Sequence, residues 1–183
     1  NVKRPIKSTP LLEYFFKDVF DNPDSNNRFI IYAETGMGKS TFMLKLFFAY
    51  YRRLVRKHNL VLIRVENCNE PKELDIYIEK IKDKTKTILL IDGLDEDALA
   101  LKNYLDRLEK ITQITIELHK VIITSRIQLP PNYDSEFVET DIRGPHNKER
   151  IHYYPMYISP FDPKDTIEYI KKRFPLKIQR FFQ

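Results

Sequence analysis

The sequence predicts an α/β fold in which helices cover both faces of a mostly parallel central sheet of about five strands. Two patterns along the chain predict it. Short apolar runs rich in β-branched residues alternate with longer segments whose apolar residues recur at helical spacing. The run at 87–92 is almost uninterrupted in its apolar character, which is typical of a strand buried on both faces. The length of 183 residues and the hydrophobic share of 42% suit one domain with a sizeable core.

Up to residue 92, predicted helices alternate with predicted strands. Pro10 opens a stretch whose apolar residues share one helical face, and the polar, asparagine-rich stretch 21–27 ends it as a loop. β-branched and aromatic residues dominate the short apolar runs, as is typical of strands. In order, we expect a helix over Pro10–Phe20, a strand over Phe29–Ala33, a helix over Lys39–Arg53, a strand over Leu60–Val65, a helix over Glu70–Ile81 and a strand over Thr87–Asp92.

After residue 92 the alternation continues but is harder to follow, and 132–154 gives no readable pattern. We expect a helix over Leu99–Glu117, a strand over Val121–Thr124, a strand over Met156–Ser159 and a helix over Pro163–Phe174. Because no repeat or linker interrupts the pattern, we expect one domain over 1–183, with 1–27 as an N-terminal helix and loop. The start without methionine and the abrupt apolar end predict a fragment of a longer, multidomain protein.

Charge and composition narrow the function classes only mildly. The 31 Lys and Arg residues against 26 Asp and Glu leave a net charge of +5, so nucleic-acid binding is permitted but not indicated. The basic groups within 52–57 and 171–180 are interpreted as helix ends whose cations offset the helix dipole. A single cysteine, Cys68, excludes an internal disulfide. With no membrane-spanning run and no secretory signal, we expect a cytoplasmic protein without membrane contact.

A glycine-containing turn between the first strand and the second helix carries the clearest motif. Residues 33–40 match the phosphate-loop pattern G-x-x-x-x-G-K-[ST] except at the first position, where alanine replaces glycine. Such a loop directs backbone N–H groups and the positive end of the following helix at a polyanion. We therefore expect a three-layer P-loop NTPase sandwich that binds ATP or GTP with Mg²⁺. The predicted nucleotide-binding residues are Glu34, with its side chain pointing outward, Thr35, Gly36, Met37, Gly38, Lys39, Ser40 and Thr41.

Three of the predicted site residues are expected to interact with the phosphates or with the metal ion. Lys39 is expected to reach the β- and γ-phosphate oxygens, and the Ser40 hydroxyl to bind Mg²⁺. Asp92 ends a buried strand, at the edge where ligands bind in open α/β sheets, and is expected to hold the same metal through water.

More carboxylates follow Asp92 one short turn later. Glu96 is our first choice for the base that orients or deprotonates an attacking water, and Asp95 is the second. The alternative for these acids is to cap the next helix, which we prefer for Asp97. Arg126 ends another buried strand in the triplet Thr-Ser-Arg and is expected to sense or stabilise the γ-phosphate. The alternative role for Arg126 is that of an exposed side chain in a salt bridge within a loop.

With these motifs, the chain resembles the NACHT branch of the STAND signal-transducing NTPases, particularly bacterial members. The resemblance covers roughly 11–174 and is carried by the phosphate loop, by Ile-Asp-Gly-Leu-Asp-Glu at 91–96 and by Thr-Ser-Arg at 124–126. Bacterial members of the family tolerate a small residue other than glycine at the first position of the loop, as at Ala33.

The resemblance implies a switch that binds ATP, hydrolyses it slowly and so controls self-association of a larger signalling or antiviral defence protein. Sensor and effector domains would then lie elsewhere in the full chain. Two alternatives stay open: an oligomerisation module whose nucleotide is never turned over, and a DNA-acting P-loop ATPase. A small-molecule kinase is ranked last because the sequence offers no signature of an acceptor pocket.

Overall fold

A computed structural model describes residues 10–22, 28–70, 72–130, 141–144 and 150–159, together with 163, 166, 167, 170 and 171. The helices are α1 (Leu11–Tyr14), α2 (Lys39–Tyr51), α3 (Glu73–Glu79), α4 (Ala98–Lys102) and α5 (Tyr104–Ile114). The strands are β1 (Arg28–Ala33), β2 (Asn59–Arg64), β3 (Thr87–Asp92), β4 (Lys120–Arg126), β5 (Asp141–Arg143) and β6 (Arg150–Tyr157). Short 3-10 turns cover Val65–Asn67, Lys84–Lys86 and Leu94–Glu96.

The strands form one sheet in the order β2-β3-β4-β1-β6-β5. All neighbouring pairs are parallel except β5 with β6, which is antiparallel. The predicted α/β class is therefore confirmed, with six strands among the described residues where the sequence predicts about five. β4 lies between β1 and β3, so the ends of these three strands meet side by side at one edge of the sheet.

Alternating side chains of the strands feed two cores, one on each face of the sheet. Ile30 and Tyr32 of β1 point to one face, and Phe29 and Ile31 point to the other. Buried residues of α3, α4 and α5 close the first core, and those of α2 and of the segment 15–20 that follows α1 close the second: Leu74, Ile78, Ala100, Tyr104, Leu108 and Ile111 against Phe15, Val19, Phe20, Met43, Leu46 and Tyr50. This is the three-layer arrangement that the sequence predicts.

The first predicted helix is present, but it changes type along its length. It is α-helical over Leu11–Tyr14 and a π-helix over Phe15–Val19, where the Phe20 N–H donates to the Phe15 carbonyl oxygen (2.9 Å). The wider turn directs Phe15, Val19 and Phe20 into the core, where they are almost fully buried. In that core Phe15 packs against Phe29, and Phe20 packs against Tyr50.

The predicted helix over Leu99–Glu117 is wrong in one respect, because it is two helices. Asn103 has an extended backbone (φ −150°, ψ 103°), and its side chain accepts a hydrogen bond from the Asp106 N–H (3.2 Å). Asparagine is a favoured N-cap, so Asn103 ends α4 and begins α5. The apolar periodicity runs on across this break and hides it.

The last strand differs most from its prediction. β6 covers Arg150–Tyr157 rather than Met156–Ser159, and β5 lies within the stretch that gave no readable pattern. β6 has polar, exposed residues such as Arg150 and His152 in its first half, so its apolar pattern is weak there. The predicted helix over Pro163–Phe174 is helical at each described position within it, and its other residues lie outside the described part of the chain. β4 also runs past its predicted end, to Arg126.

The histidine spacing in the sequence gives no sign of pairing, yet the fold stacks two of the rings. His58 and His119 lie with ring centroids 4.1 Å apart at the opposite edge of the sheet from the ends of β1, β3 and β4. Burial lowers the pKa of both imidazoles, and nearby Lys120 adds to the effect. Both rings are therefore favoured in the neutral form. None of the described helices is long and apolar enough to cross a membrane.

Candidate functional site

The predicted phosphate loop joins β1 to α2 as an open turn. Gly36 (φ 81°) and Gly38 (φ 87°) have left-handed backbones, which side-chain-bearing residues rarely adopt. Around both glycines an added Cβ would meet no atom closer than 4.0 Å, so backbone conformation rather than space requires glycine there. Ala33 is the last residue of β1 and has an extended backbone, so the absence of glycine at the first motif position costs no strain.

The N-terminus of α2 follows the loop directly. The Phe42 N–H donates to the Gly38 carbonyl oxygen (2.8 Å), and the first turn contains no acidic residue that would compete for its free N–H groups. This end of a 13-residue helix carries the positive end of the helix dipole. Lys39 and Ser40 lie half-buried in its first turn. Residues 34–36 are exposed, so the Glu34 side chain is in solvent as the prediction requires.

Asp92 is a buried carboxylate at the end of β3, with 3% of its surface exposed. Its Oδ1 accepts a hydrogen bond from the Thr124 hydroxyl (2.8 Å), and that hydroxyl accepts one from the Gly93 N–H (2.9 Å). The Thr124 hydroxyl therefore uses its proton in the hydrogen bond to Asp92 Oδ1. This hydrogen bond fixes the orientation of the carboxyl group and leaves its Oδ2 for other partners. A buried charge held in this way is costly unless a cation or further donors balance it.

Arg126 and Asp95 form a two-point contact beside Asp92. The Arg126 Nε lies 2.7 Å from Asp95 Oδ2, and the Arg126 backbone N–H donates to Asp95 Oδ1 (3.1 Å). The Asp95 side chain is only 5% exposed, whereas the Arg126 side chain is 49% exposed. Both oxygens of Asp95 are thus engaged by Arg126. This geometry favours a positioning role for Asp95 over the role of base that the sequence leaves open to it.

The Glu96 carboxyl group lies over the backbone of Gly93. A Cβ at position 93 would come within 3.2 Å of the Glu96 Cδ, and Gly93 has a left-handed backbone (φ 86°). Burial raises the pKa of Glu96, and the charges of Asp95, Glu66 and Asp92 raise it further. Glu96 is nevertheless exposed, so water reaches it. A carboxylate of raised pKa beside solvent suits a general base.

Asp97 caps α4, as the sequence predicts. Its Oδ1 accepts hydrogen bonds from the N–H groups of Leu99 (2.7 Å) and Ala100 (3.4 Å). The same carboxylate receives the Arg107 Nε at 2.8 Å, and Arg107 reaches Asp75 on α3 with NH1 at 2.7 Å. Asp97 and Arg107 are each 3% exposed. The turn that contains Asp95 and Glu96 is therefore tied to α3 and α5 through a buried ion pair.

Three further charged residues contact the site and are not predicted from the sequence: Arg64, Arg107 and Asp75. Arg64 ends β2 directly opposite Asp92 in the strand register, and its Nε lies 3.7 Å from Asp92 Oδ2. Its other end contacts Glu66, with NH2 2.6 Å from Oε1. A charged residue inside the otherwise apolar predicted strand Leu60–Val65 is the signal that the sequence offers for Arg64. The residues around Arg64 in the sequence do not reveal that β2 pairs with β3, and only this pairing brings Arg64 beside Asp92.

The residues that would hold Mg²⁺ are Ser40 and Asp92, on neighbouring parts of the same sheet edge. Within the described residues no group of three or more His, Cys, Asp or Glu side chains is arranged to hold a metal. Mg²⁺ prefers octahedral oxygen ligands and usually takes only one or two from protein, with phosphate and water supplying the rest. One hydroxyl and one fixed, buried carboxylate therefore fit Mg²⁺ that arrives with a nucleotide.

Comparison with known proteins gives a structural match only. No protein-family model matches the chain, and no curated protein does. The structure of the Orc1 protein of Aeropyrum pernix in complex with DNA is similar, with a TM-score of 0.57 and 14% identity over 89% of this chain and 47% of that one. The chain has a P-loop NTPase fold.

Two structures of the Thermotoga maritima RuvB protein are also similar, at a lower level. The Holliday junction branch migration motor matches with a TM-score of 0.45 and 14% identity over 79% of this chain and 42% of that one. A single-residue mutant of RuvB matches with the same TM-score and 12% identity over 80% of this chain and 43% of that one. The chain therefore spans less than half the length of each of these structures.

Proposed function

We propose that the chain is the nucleotide-binding domain of an ATP-dependent switch, which hydrolyses ATP slowly and controls self-association of a larger protein. The observation that carries the proposal is the convergence of three groups at one sheet edge. These are the glycine loop before α2, the fixed Asp92–Thr124 pair and the Asp95–Arg126 pair. β1, β3 and β4 are neighbours, so their ends present these groups together. In open α/β sheets this edge is where ligands bind.

The proposed roles follow from charge and position. The backbone N–H groups of the loop and the N-terminus of α2 receive the phosphates, and Lys39 neutralises their β- and γ-oxygens. Ser40 and Asp92 hold Mg²⁺, which when bound screens the phosphate charge. Glu96 accepts the proton of the attacking water, because it is the one of the two candidate carboxylates whose oxygens are not both held by Arg126.

The Asp95–Arg126 pair supports a switch rather than a passive cradle. A γ-phosphate offers Arg126 a second anion, and the half-exposed arginine can turn towards it by leaving Asp95. Asp95 belongs to the turn that Asp97 anchors to Arg107 and, through it, to Asp75. We propose that loss of the Arg126 contact is passed along this ion-pair chain to α3 and α5. Such a change would alter the surface that a neighbouring domain or a second copy meets.

The resemblance to the NACHT branch supplies the wider setting of this proposal. ATP would favour an open, self-associating form, and ADP a closed one. Sensor and effector domains elsewhere in the full chain would supply the signal and the response, in antiviral defence or another signalling role. ATP is preferred to GTP, and the cytoplasm is the expected location.

The experiment that tests this function is release of γ-phosphate from ATP by the wild-type protein and by Glu96→Gln. We expect slow turnover by the wild type and at least a hundredfold less by the variant, since general-base catalysis contributes about 10²–10⁴-fold. ATP binding should persist in Glu96→Gln, because the amide keeps the shape of the carboxyl group. Glu109→Gln, at a carboxylate of α5 that contacts Gln113 on the same helix, serves as the matched control. Wild-type turnover in Glu96→Gln would exclude Glu96 as the base.

In the competing hypothesis the nucleotide is bound but never hydrolysed. The same assay distinguishes this hypothesis from the proposed slow hydrolysis. Saturable ATP binding by the wild type without measurable phosphate release would establish it.

The DNA-acting alternative has weaker support, because other side chains of the protein already contact cations of its basic group. In the basic group at 52–57, Arg53 and Lys57 lie 3.6 and 3.7 Å from the carboxylate of Asp21. Arg56 lies over the Tyr51 ring.

The pH dependence of turnover gives a second prediction. Glu96 acts as a base only when deprotonated, so turnover should fall as the pH drops through its pKa. Burial and the neighbouring acids Asp95 and Glu66 raise that pKa, so the acid limb should lie at higher pH than that of an unperturbed glutamate. Glu66→Gln removes one of the raising charges, and we expect it to move the limb to lower pH. Phosphate release measured against pH checks both statements. A limb that moves to higher pH in Glu66→Gln would contradict them.

A further inference from the structure

Arg64 faces the predicted metal-holding carboxylate from the neighbouring strand. It ends β2 opposite Asp92, with its Nε 3.7 Å from Asp92 Oδ2. The separation is longer than a hydrogen bond, and the buried Nε has no hydrogen-bond partner. The contact is therefore one of charge only. At its other end, the guanidinium is held by Glu66 at 2.6 Å.

The two oxygens of Asp92 have different surroundings. The Thr124 hydroxyl donates to Oδ1, and the Gly93 N–H in turn holds that hydroxyl in place. Oδ2 is the oxygen left for the water shell of a metal ion. It is also the oxygen that Arg64 faces.

We propose that Arg64 is the counter-ion that Asp92 exchanges for the metal of the incoming nucleotide. The proposal rests on the proposed nucleotide-binding function. A carboxylate only 3% exposed is destabilising without a nearby positive charge, and Arg64 supplies that charge when no metal is bound. A divalent cation beside Oδ2 and a guanidinium within a few ångströms repel each other. Metal binding therefore has to displace Arg64.

Glu66 provides the place to which Arg64 withdraws. It already holds the far nitrogen of the guanidinium, and its side chain is 48% exposed against 32% for Arg64, so the arginine moves outward without losing its ion pair. The exchange makes free Mg²⁺ a poor ligand for the site, because the ion alone must overcome Arg64. Mg²⁺ that arrives with a triphosphate brings the additional contacts of the loop. Arg64 thus couples metal binding to nucleotide binding.

The test is the Mg²⁺ concentration at half-maximal binding of a fluorescent ATP analogue, measured by titrating Mg²⁺ into protein and analogue. For Arg64→Gln we expect this midpoint to fall about tenfold or more, because one positive charge beside the metal is removed. Arg64→Lys keeps the charge and should restore the wild-type midpoint. Glu66→Gln removes the outer partner and should raise the midpoint. Arg53→Gln removes an arginine from an ion pair elsewhere on the protein and is the matched control.

Thermal unfolding separates this role from a purely structural one. In EDTA, Arg64→Gln should unfold at a lower temperature than the wild type, and the difference should shrink with Mg²⁺ and ATP present. An unchanged or raised Mg²⁺ midpoint in Arg64→Gln, with wild-type binding intact, would overturn the role of Arg64 and leave the proposed function standing. A folded wild-type protein that binds no nucleotide would overturn both.

Discussion

Replacing Asp97 by alanine is expected to lower the free energy of unfolding by about 3–5 kcal/mol, the usual cost of breaking a buried ion pair from one side. Asp97 accepts two backbone N–H groups at the start of α4 and the Arg107 Nε at 2.8 Å, in a region almost closed to solvent. The variant removes the Asp97 carboxylate from the buried Arg107 guanidinium and keeps its contact with Asp75. Urea unfolding followed by circular dichroism measures the loss.

Two further variants divide this effect into its parts. Asp97→Asn keeps a good N-cap but removes the charge, so its loss should be smaller than that of alanine. Asp106→Ala removes an exposed acid from the first turn of α5 and should cost far less. Equal stability of Asp97→Ala and Asp106→Ala would show that the buried ion pair does not hold this turn in place.

Replacing Lys39 by alanine is expected to weaken ATP binding by more than about a hundredfold. Loss of a charged donor to phosphate oxygens costs about 3 kcal/mol, and about 1.4 kcal/mol corresponds to a factor of ten. Lys39 is half-buried in the first turn of α2, where the helix end and the loop direct their N–H groups at the same ligand. Its removal should leave the fold intact because it lies outside both cores.

Lys45→Ala is the control for Lys39→Ala. Lys45 lies on the same helix beyond its first turn and is exposed, near Thr41, Leu12 and Phe48. Calorimetric titration with ATP and Mg²⁺ should give wild-type affinity for Lys45→Ala and a lost or greatly weakened signal for Lys39→Ala.

The parts of the site that were predictable from sequence are those set by adjacent residues. The glycines at 36 and 38 each adopt the left-handed backbone conformation that glycine favours, and α2 begins directly after them at Lys39. Asp92 and Arg126 were found because each directly follows a run of buried strand residues. The cap at Asp97 depends on a side chain that reaches N–H groups two and three residues ahead.

The unpredicted parts depend on contacts between distant segments. Arg64 meets Asp92 only because β2 pairs with β3, and the Asp97–Arg107 pair needs α5 to fold back over the turn. The engagement of both Asp95 oxygens needs β4 to place Arg126 beside them. Periodicity within one segment contains none of this information. β5 was unpredicted for a different reason, because its three residues are too few to show a periodic pattern.

The central claim is that the loop at 34–41 binds the phosphates of a nucleotide, and one titration tests it most directly. Calorimetry of the folded wild-type protein with ATP and Mg²⁺ should show saturable binding at one site, and the same titration of Lys39→Ala should show that binding lost. Absence of saturable binding by the folded wild type, or equal affinity in Lys39→Ala, would contradict the claim.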